Sequence, residues 1–219
     1  MEAVKLPVLL LSNILNLTLS VKRIFVFILL IHAVSGLKAQ SLYYDIIKGD
    51  KIAGYMTVKK VVSGDKIDYS IESRTAVRVV FMVKVNYDLF ENFENGVLIG
   101  GKSKSTLNGA TQKSTIIKKY DDRYEFELES DRVTLHQKEI TYSIPEIYFS
   151  KPKGHVKVFS QVFAQYLDYE KINENTWVLI SEDGKNVSTY NDDGILEMVN
   201  ISRVYANFNL VLNKEKSEF

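Results

Sequence analysis

TWVLISEDGKNVSTYNDDGILEMVNISRVYANFNLVL, residues 176–212, decides the fold. It holds β-rich runs at Thr176–Ser181, Asn186–Tyr190 and Ile195–Val199. Glu182-Asp183-Gly184 and Asp192-Asp193-Gly194 separate them. Asp-Gly between such runs is a strong hairpin signal, because glycine accepts the positive φ that a tight turn demands. The last run, Arg203–Leu212, alternates. Val204, Ala206, Phe208 and Leu210 fall on one face, and Tyr205, Asn207 and Asn209 on the other. That is the period of a half-buried strand.

Working outward, the same unit of strand, glycine turn and strand repeats. Ser41–Lys48 places Leu42, Tyr44 and Ile46 together, and Gly49-Asp50 turns it. Ile52–Val62 follows, with Gly54 marking a bulge or a close backbone approach. Lys66–Val79 puts Ile67, Tyr69, Ile71, Ser73, Thr75, Val77 and Val79 on one face. A strand that long reaches ~40 Å and belongs to a strongly twisted or curled sheet. Ser73 and Thr75 are either a polar patch in a cavity wall or a bend. In Met82–Asn95 the residues Val83, Val85, Tyr87 and Leu89 point inward. Phe90 and Phe93 then break the alternation. A bulge near Phe90-Glu91 restores both to the core with Glu91 outside; the other reading is a buried Glu91 with a raised pKa.

Val97–Leu107 and Thr111–Tyr120 flank Asn108-Gly109. Gly101–Thr106 offers no apolar face, so this hairpin is expected to protrude into solvent, with Lys104 opposite Lys113 in a two-residue turn. Arg123–Glu129 turns Tyr124, Phe126 and Leu128 inward, and Arg132–Tyr142 holds one or two short strands. Pro145–Phe149 reads as a turn of helix with proline first. Phe159, Val162, Phe163, Tyr166 and Leu167 recur at helical spacing, which predicts a helix over Val156–Leu167; two aromatic-rich strands also fit.

The chain has 219 residues and no cysteine, so a disulfide framework, a thiolate metal site and a cysteine nucleophile are excluded. Residues 1–40 read as a signal peptide: Val21-Lys22-Arg23 is a basic n-region, Ile24–Ile31 a short apolar stretch, and Ala39 precedes the cut. Residues 1–20 are a second apolar run. They are an over-extended reading frame before a start at Val21, or part of a two-segment anchor. Residues 1–40 carry Lys5, Lys22, Arg23 and Lys38 against Glu2. Setting them aside takes 28 basic and 27 acidic residues to 24 and 26, net −2. Residues 41–219 then form a single domain with no span of the membrane in the mature chain, and this balance gives no reason to expect nucleic acid as a partner.

Motifs for chemistry are absent. Outside the leader only His136 and His155 remain, too few for a zinc site without carboxylates. No Gly-x-Ser-x-Gly elbow and no phosphate-cradling loop occur. The expectation is a non-enzyme with no cofactor, no metal and no catalytic residue. The 13 Tyr and 11 Phe suit core packing, and equally suit the wall of a cup for an apolar or amphiphilic molecule. Tyr69, Ser73, Thr75, Tyr87, Tyr124 and Phe126 are the candidate cavity-wall residues.

Tyr43-Tyr44-Asp45-Ile46 with Ile52-Ala53-Gly54, and Phe159-Ser160-Gln161 leading to Asp183-Gly184-Lys185-Asn186 and Tyr190, resemble an uncharacterised family of exported bacterial β-rich proteins. These domains of unknown function look like distant relatives of calycin-like and lipoprotein-localisation barrels. The resemblance implies a β-barrel or half-barrel in the cell envelope and carries over no binding or catalytic residues.

The sequence thus predicts an all-β, long-stranded antiparallel meander curled into a barrel or half-barrel, with one short helical segment. The leading functional expectation is an exported protein that binds an apolar small molecule or lipid in the periplasm. The alternatives are a structural or interaction module with a packed core and, third, a secreted hydrolase. Sequencing the N-terminus of protein from its native host should find Gln40 or Ser41 first. An intact start upstream of Val21 would overturn both the cleavage and the start-site readings.

Overall fold

The computed structural model describes residues 37–78, 81–129, 131–203 and 207–219. Residues 1–36 of the expected leader, Val79, and Val204, Tyr205 and Ala206 of the last run lie outside the described residues, whereas the leader's last four residues, 37–40, begin the first strand. Lys38–Phe219 pack as one unit.

Fourteen strands form one sheet. In chain order they are β1 (Leu37–Lys48), β2 (Lys51–Ser63), β3 (Lys66–Arg78), β4 (Met82–Glu94), β5 (Val97–Leu107), β6 (Ala110–Lys119), β7 (Tyr124–Leu128) and β8 (Asp131–Leu135). The second half holds β9 (Val156–Ser160), β10 (Gln165–Lys171), β11 (Thr176–Ser181), β12 (Gly184–Tyr190), β13 (Leu196–Ser202) and β14 (Asn207–Leu212). Consecutive strands pair antiparallel within each half, and β1 pairs with β14 through Tyr44–Leu212 and Ile46–Leu210. The sheet therefore runs from β8 down to β1, across to β14, and down to β9.

Tight turns make this meander. Asn95-Gly96 and Asn108-Gly109 both hold positive φ at each residue, the geometry whose twist matches a two-residue hairpin. At Gly54 a side chain would overlap the Arg74 carbonyl oxygen on β3, so the glycine marks a close backbone approach.

The sheet is curled and not closed. Phe126 on β7 and Phe159 on β9 lie near opposite edges, yet their ring centroids are 5.6 Å apart. Burial follows the expected faces: Leu42, Tyr44 and Ile46, then Met56 and Val58, then Tyr69 and Ile71, are all buried. Toward the turns at Gly49 and Asn108 the inner face opens, and Ile52, Val85 and Leu107 are exposed there.

A strap made by residues 140–149 crosses the interior. It includes the short 3-10 turn Ile144–Tyr148, with proline in its first turn. Ile140 accepts from the Leu98 amide at 2.8 Å, and the Phe159 amide donates to Tyr142 at 3.0 Å. The Tyr124 hydroxyl bridges the same place, donating to the Leu98 carbonyl at 2.8 Å and accepting from the Ile140 amide at 3.0 Å.

Three expectations are corrected. Val156–Leu167 is not a helix but, as in the alternative reading, two aromatic-rich strands, β9 and β10 joined by a turn, with Phe159 paired to Tyr166. The aromatic spacing imitated a helical stripe, but pairing of β10 with β11 continues the meander and satisfies the backbone. Glu91 is fully buried, which overturns the bulge reading and agrees with the alternative of a buried Glu91 with a raised pKa. Leu89, Glu91 and Phe93 alternate without interruption, and the irregularity lies in β5, where Ile99 is skipped between the Asn92–Gly100 and Phe93–Leu98 pairs. The hairpin of β5 and β6 is solvated on both faces only near its tip, because Ser103 and Thr115 are buried. A register shift at Thr106 sets Lys104 opposite Ser114 and Lys113 opposite Ser105, which removes the like-charge pair.

Ile71 is 3 % exposed, so Ile71→Ala should cost about 2–5 kcal/mol in denaturant unfolding. Glu72→Ala, on the outer face in an exposed ion pair with Arg74, should change stability by less than about 1 kcal/mol. Equal effects would reject the face assignment.

Candidate functional site

The interior divides into a packed end, filled by the strap, and an open cup. Glu91 belongs to the packed end. Its position is dictated by β4, whose inner face it shares with Leu89 and Phe93. The Ser143 hydroxyl, itself fully buried, donates to Glu91 Oε2 at 2.5 Å. Burial, opposed in part by that hydrogen bond, raises the Glu91 pKa from 4.5 to about 8, and the nearby Glu146 carboxyl adds to the rise. The carboxyl is thus mainly protonated at neutral pH. A side chain at Gly101, directly across the ladder, would sit 2.7 Å from Gln161 Oε1 and 3.3 Å from Glu91 Cγ. Gly101 is what lets the Gln161 amide, from the turn between β9 and β10, approach the sheet. Glu91 Oε1 and both polar atoms of the Gln161 side chain are enclosed without a hydrogen-bond partner. Glu91 is fully buried and does not line the cup.

The cup lies beyond this floor, toward the turn at Asn108. It is a cavity of about 420 Å³. Tyr87 and Leu89 come from β4, Ile144 from the strap, and Leu167 and Leu179 from the second half of the sheet. Phe163 joins from the turn between β9 and β10. The two halves of the sheet meet at the mouth, where Lys113 Nζ lies 3.5 Å from Asp183 Oδ1 and 4.7 Å from the Phe163 ring centroid. Arg203 lines the same cavity. Its Nη1 donates to Asn186 Oδ1 at 2.8 Å and to the Ser202 carbonyl at 3.1 Å. Burial depresses the Arg203 pKa, with Asp183 acting the other way.

Of the six residues proposed from the sequence as cavity wall, Tyr87 lines the cup. Tyr69, Tyr124 and Phe126 are fully packed in the core, and Ser73 and Thr75 are half-buried on β3 outside the cavity lining. The structure does not gather the six into one site. Residues not singled out as wall, Gln161, Asp183, Asn186 and Arg203, do line it. Three of them sit in the stretches Phe159-Ser160-Gln161 and Asp183–Asn186 that carry the family resemblance. That coincidence was the available signal.

This open, curled β-sheet with a strap inside is the architecture of a β-barrel-like protein. The chain belongs to the family described as Domain of unknown function (DUF6134), whose model matches residues 44–213. Its fold is similar to a crystal structure of a "Beta-barrel-like Protein of Domain of Unknown Function DUF1849" from Brucella abortus. The TM-score is 0.56 at 11% identity, covering 82% of this chain and 97% of that one. Among curated proteins, none matches.

The Glu91 pKa is raised on folding, so the folded state holds a proton that the unfolded chain releases above its ordinary carboxylate range. The stability from this group is fully present below pH 4.5 and is lost as pH rises toward about 8, with a slope of at most about 1.4 kcal/mol per pH unit. Glu91→Gln, which keeps the shape and a neutral group, should flatten that decline. Thermal unfolding of both proteins across this window measures it, and parallel pH profiles would show that Glu91 ionises freely in the fold.

Proposed function

We propose that this protein is exported and binds a small apolar or amphiphilic molecule in the cup. The observation that carries this reading is the cavity itself. Its volume falls in the range of ligand pockets, and its wall combines Tyr87, Leu89, Leu167 and Leu179 with a few polar groups. Val85 belongs to the wall, and its exposed cross-strand partner Leu107 extends the apolar surface past the cavity, where a longer chain could lie. Export rests on the leader pattern of residues 1–40. Removal of residues through Ala39 would spare the β1–β14 pairs, which begin at Tyr44, and the Ser41–Glu218 bridge.

A second reading, an interaction module of the envelope, is favoured by the packed end, where Tyr69, Tyr124, Phe126 and Phe159 leave no space. The two differ in what the cup does. A neutral fluorescent apolar probe such as aminoanthracene should bind with one saturable site. Val85→Arg, at an exposed position in the cavity wall, should abolish that binding while changing the unfolding free energy by less than about 0.5 kcal/mol. Native mass spectrometry of protein from its host should show a co-purified molecule. Absence of saturable probe binding, or equal binding by the variant, would leave the packed-module reading in place.

A further inference from the structure

We propose that the ligand of the cup is a single-chain anionic amphiphile, such as a long-chain carboxylate, with its head at Arg203. This rests on the reading of the cup as a binding site and names the class of molecule that fits it. Three observations converge. Arg203 is the cationic group of the wall whose hydrogen bonds go only to neutral acceptors, Asn186 Oδ1 and the Ser202 carbonyl. Among the described residues, no carboxylate lies within ion-pair distance of it, and the nearest candidate on the rim, Asp183, is engaged by Lys113. The charges lining the cup, Lys113, Asp183 and Arg203, leave one net positive charge. A half-desolvated guanidinium whose nearby carboxylate, Asp183, pairs with Lys113 instead is under-compensated, and a ligand carboxylate offers its fork a bidentate partner.

The rest of the wall suits the tail. Leu89, Ile144, Leu167 and Leu179 present apolar surface deeper in the cup. An anion with no tail would leave that surface uncovered. A neutral chain would fill it and leave Arg203 without its partner. Lys113 is less suited to the head, because it already holds Asp183 and lies over the Phe163 ring.

The test is displacement of bound aminoanthracene by dodecanoate and by dodecanol at pH 8, below their aggregation limits, on the full chain. The two share a tail and differ in the head. Dodecanoate should bind about ten- to a hundredfold tighter, as for a hydrogen bond to a charged group in a partly buried site. Arg203→Gln should erase the preference by weakening dodecanoate alone. Arg203→Lys should keep most of it, and circular dichroism checks that both variants fold. Equal binding of the two heads by the unaltered protein, or a preference that survives Arg203→Gln, would overturn the proposal while the cup remains a binding site. Failure of both ligands to displace the bound probe would likewise overturn the proposal, whereas it is absence of saturable probe binding that overturns the binding reading itself.

Discussion

The hydrogen bond from Ser143 to Glu91 ties the strap to the middle of the long-stranded half of the sheet. The rest of the interior depends on it. A fourteen-stranded sheet that curls without closing must fill its hollow with something. Here residues 140–149 do so, pinned at three points: Leu98 on β5, Glu91 on β4 and Phe159 on β9. A carboxyl in such a place is tolerable because it is neutral. Ionised, it would face the desolvation cost that shifts its pKa. One protonated carboxyl therefore couples the strap to the sheet.

That pin also decides where the protein is full and where it is hollow. On one side lie stacked aromatics, with the Tyr69, Phe93 and Phe149 rings in contact. On the other side the strap stops, and strands β2 to β6 continue past it. The cup is what remains when long strands outrun a short plug. Its polar residues come from both strands and turns: Gln112 and Lys113 from β6, Asn186 from β12, and Gln161 and Asp183 from the turns 161–164 and 182–183. Turns are where side chains are free to face a ligand rather than a ladder.

Strand order and faces were legible because they are local. Asn95-Gly96, Asn108-Gly109 and the Asp-Gly turns each announce a reversal, and alternation then assigns Leu42, Tyr44, Ile71 and Leu89 to the inside. Glu91 was hidden for the opposite reason. Alternation of apolar residues makes a glutamate on the inner face look like an error in the pattern, one that a bulge would remove. Its hydrogen-bond partner, Ser143, lies far along the chain, and no local signal ties the two together. Val156–Leu167 misled because its aromatics happen to recur near three and four residues apart, and only pairing with β11 reveals two strands. The cavity wall was the least legible feature. Tyr69 and Tyr87 lie on the same face of neighbouring strands, but one is under the strap and the other beyond it.

The pairing of β1 with β14 has a consequence for how the chain assembles. The first and last strands meet in the middle of the sheet, so its free edges belong to β8 and β9, in mid-sequence. Each half is a run of hairpins between near neighbours, with low contact order. The seam joins residues 168 positions apart, as in the Asn213–Asp45 hydrogen bond, and bears the largest loop-closure entropy. In topological terms the molecule is a circularly permuted up-and-down meander. A chain opened between β8 and β9 and rejoined between β14 and β1 would run through the sheet from edge to edge in simple sequence order. Shortening such a chain at its ends would fray an edge. Losing β14 from this one would split the sheet at its centre.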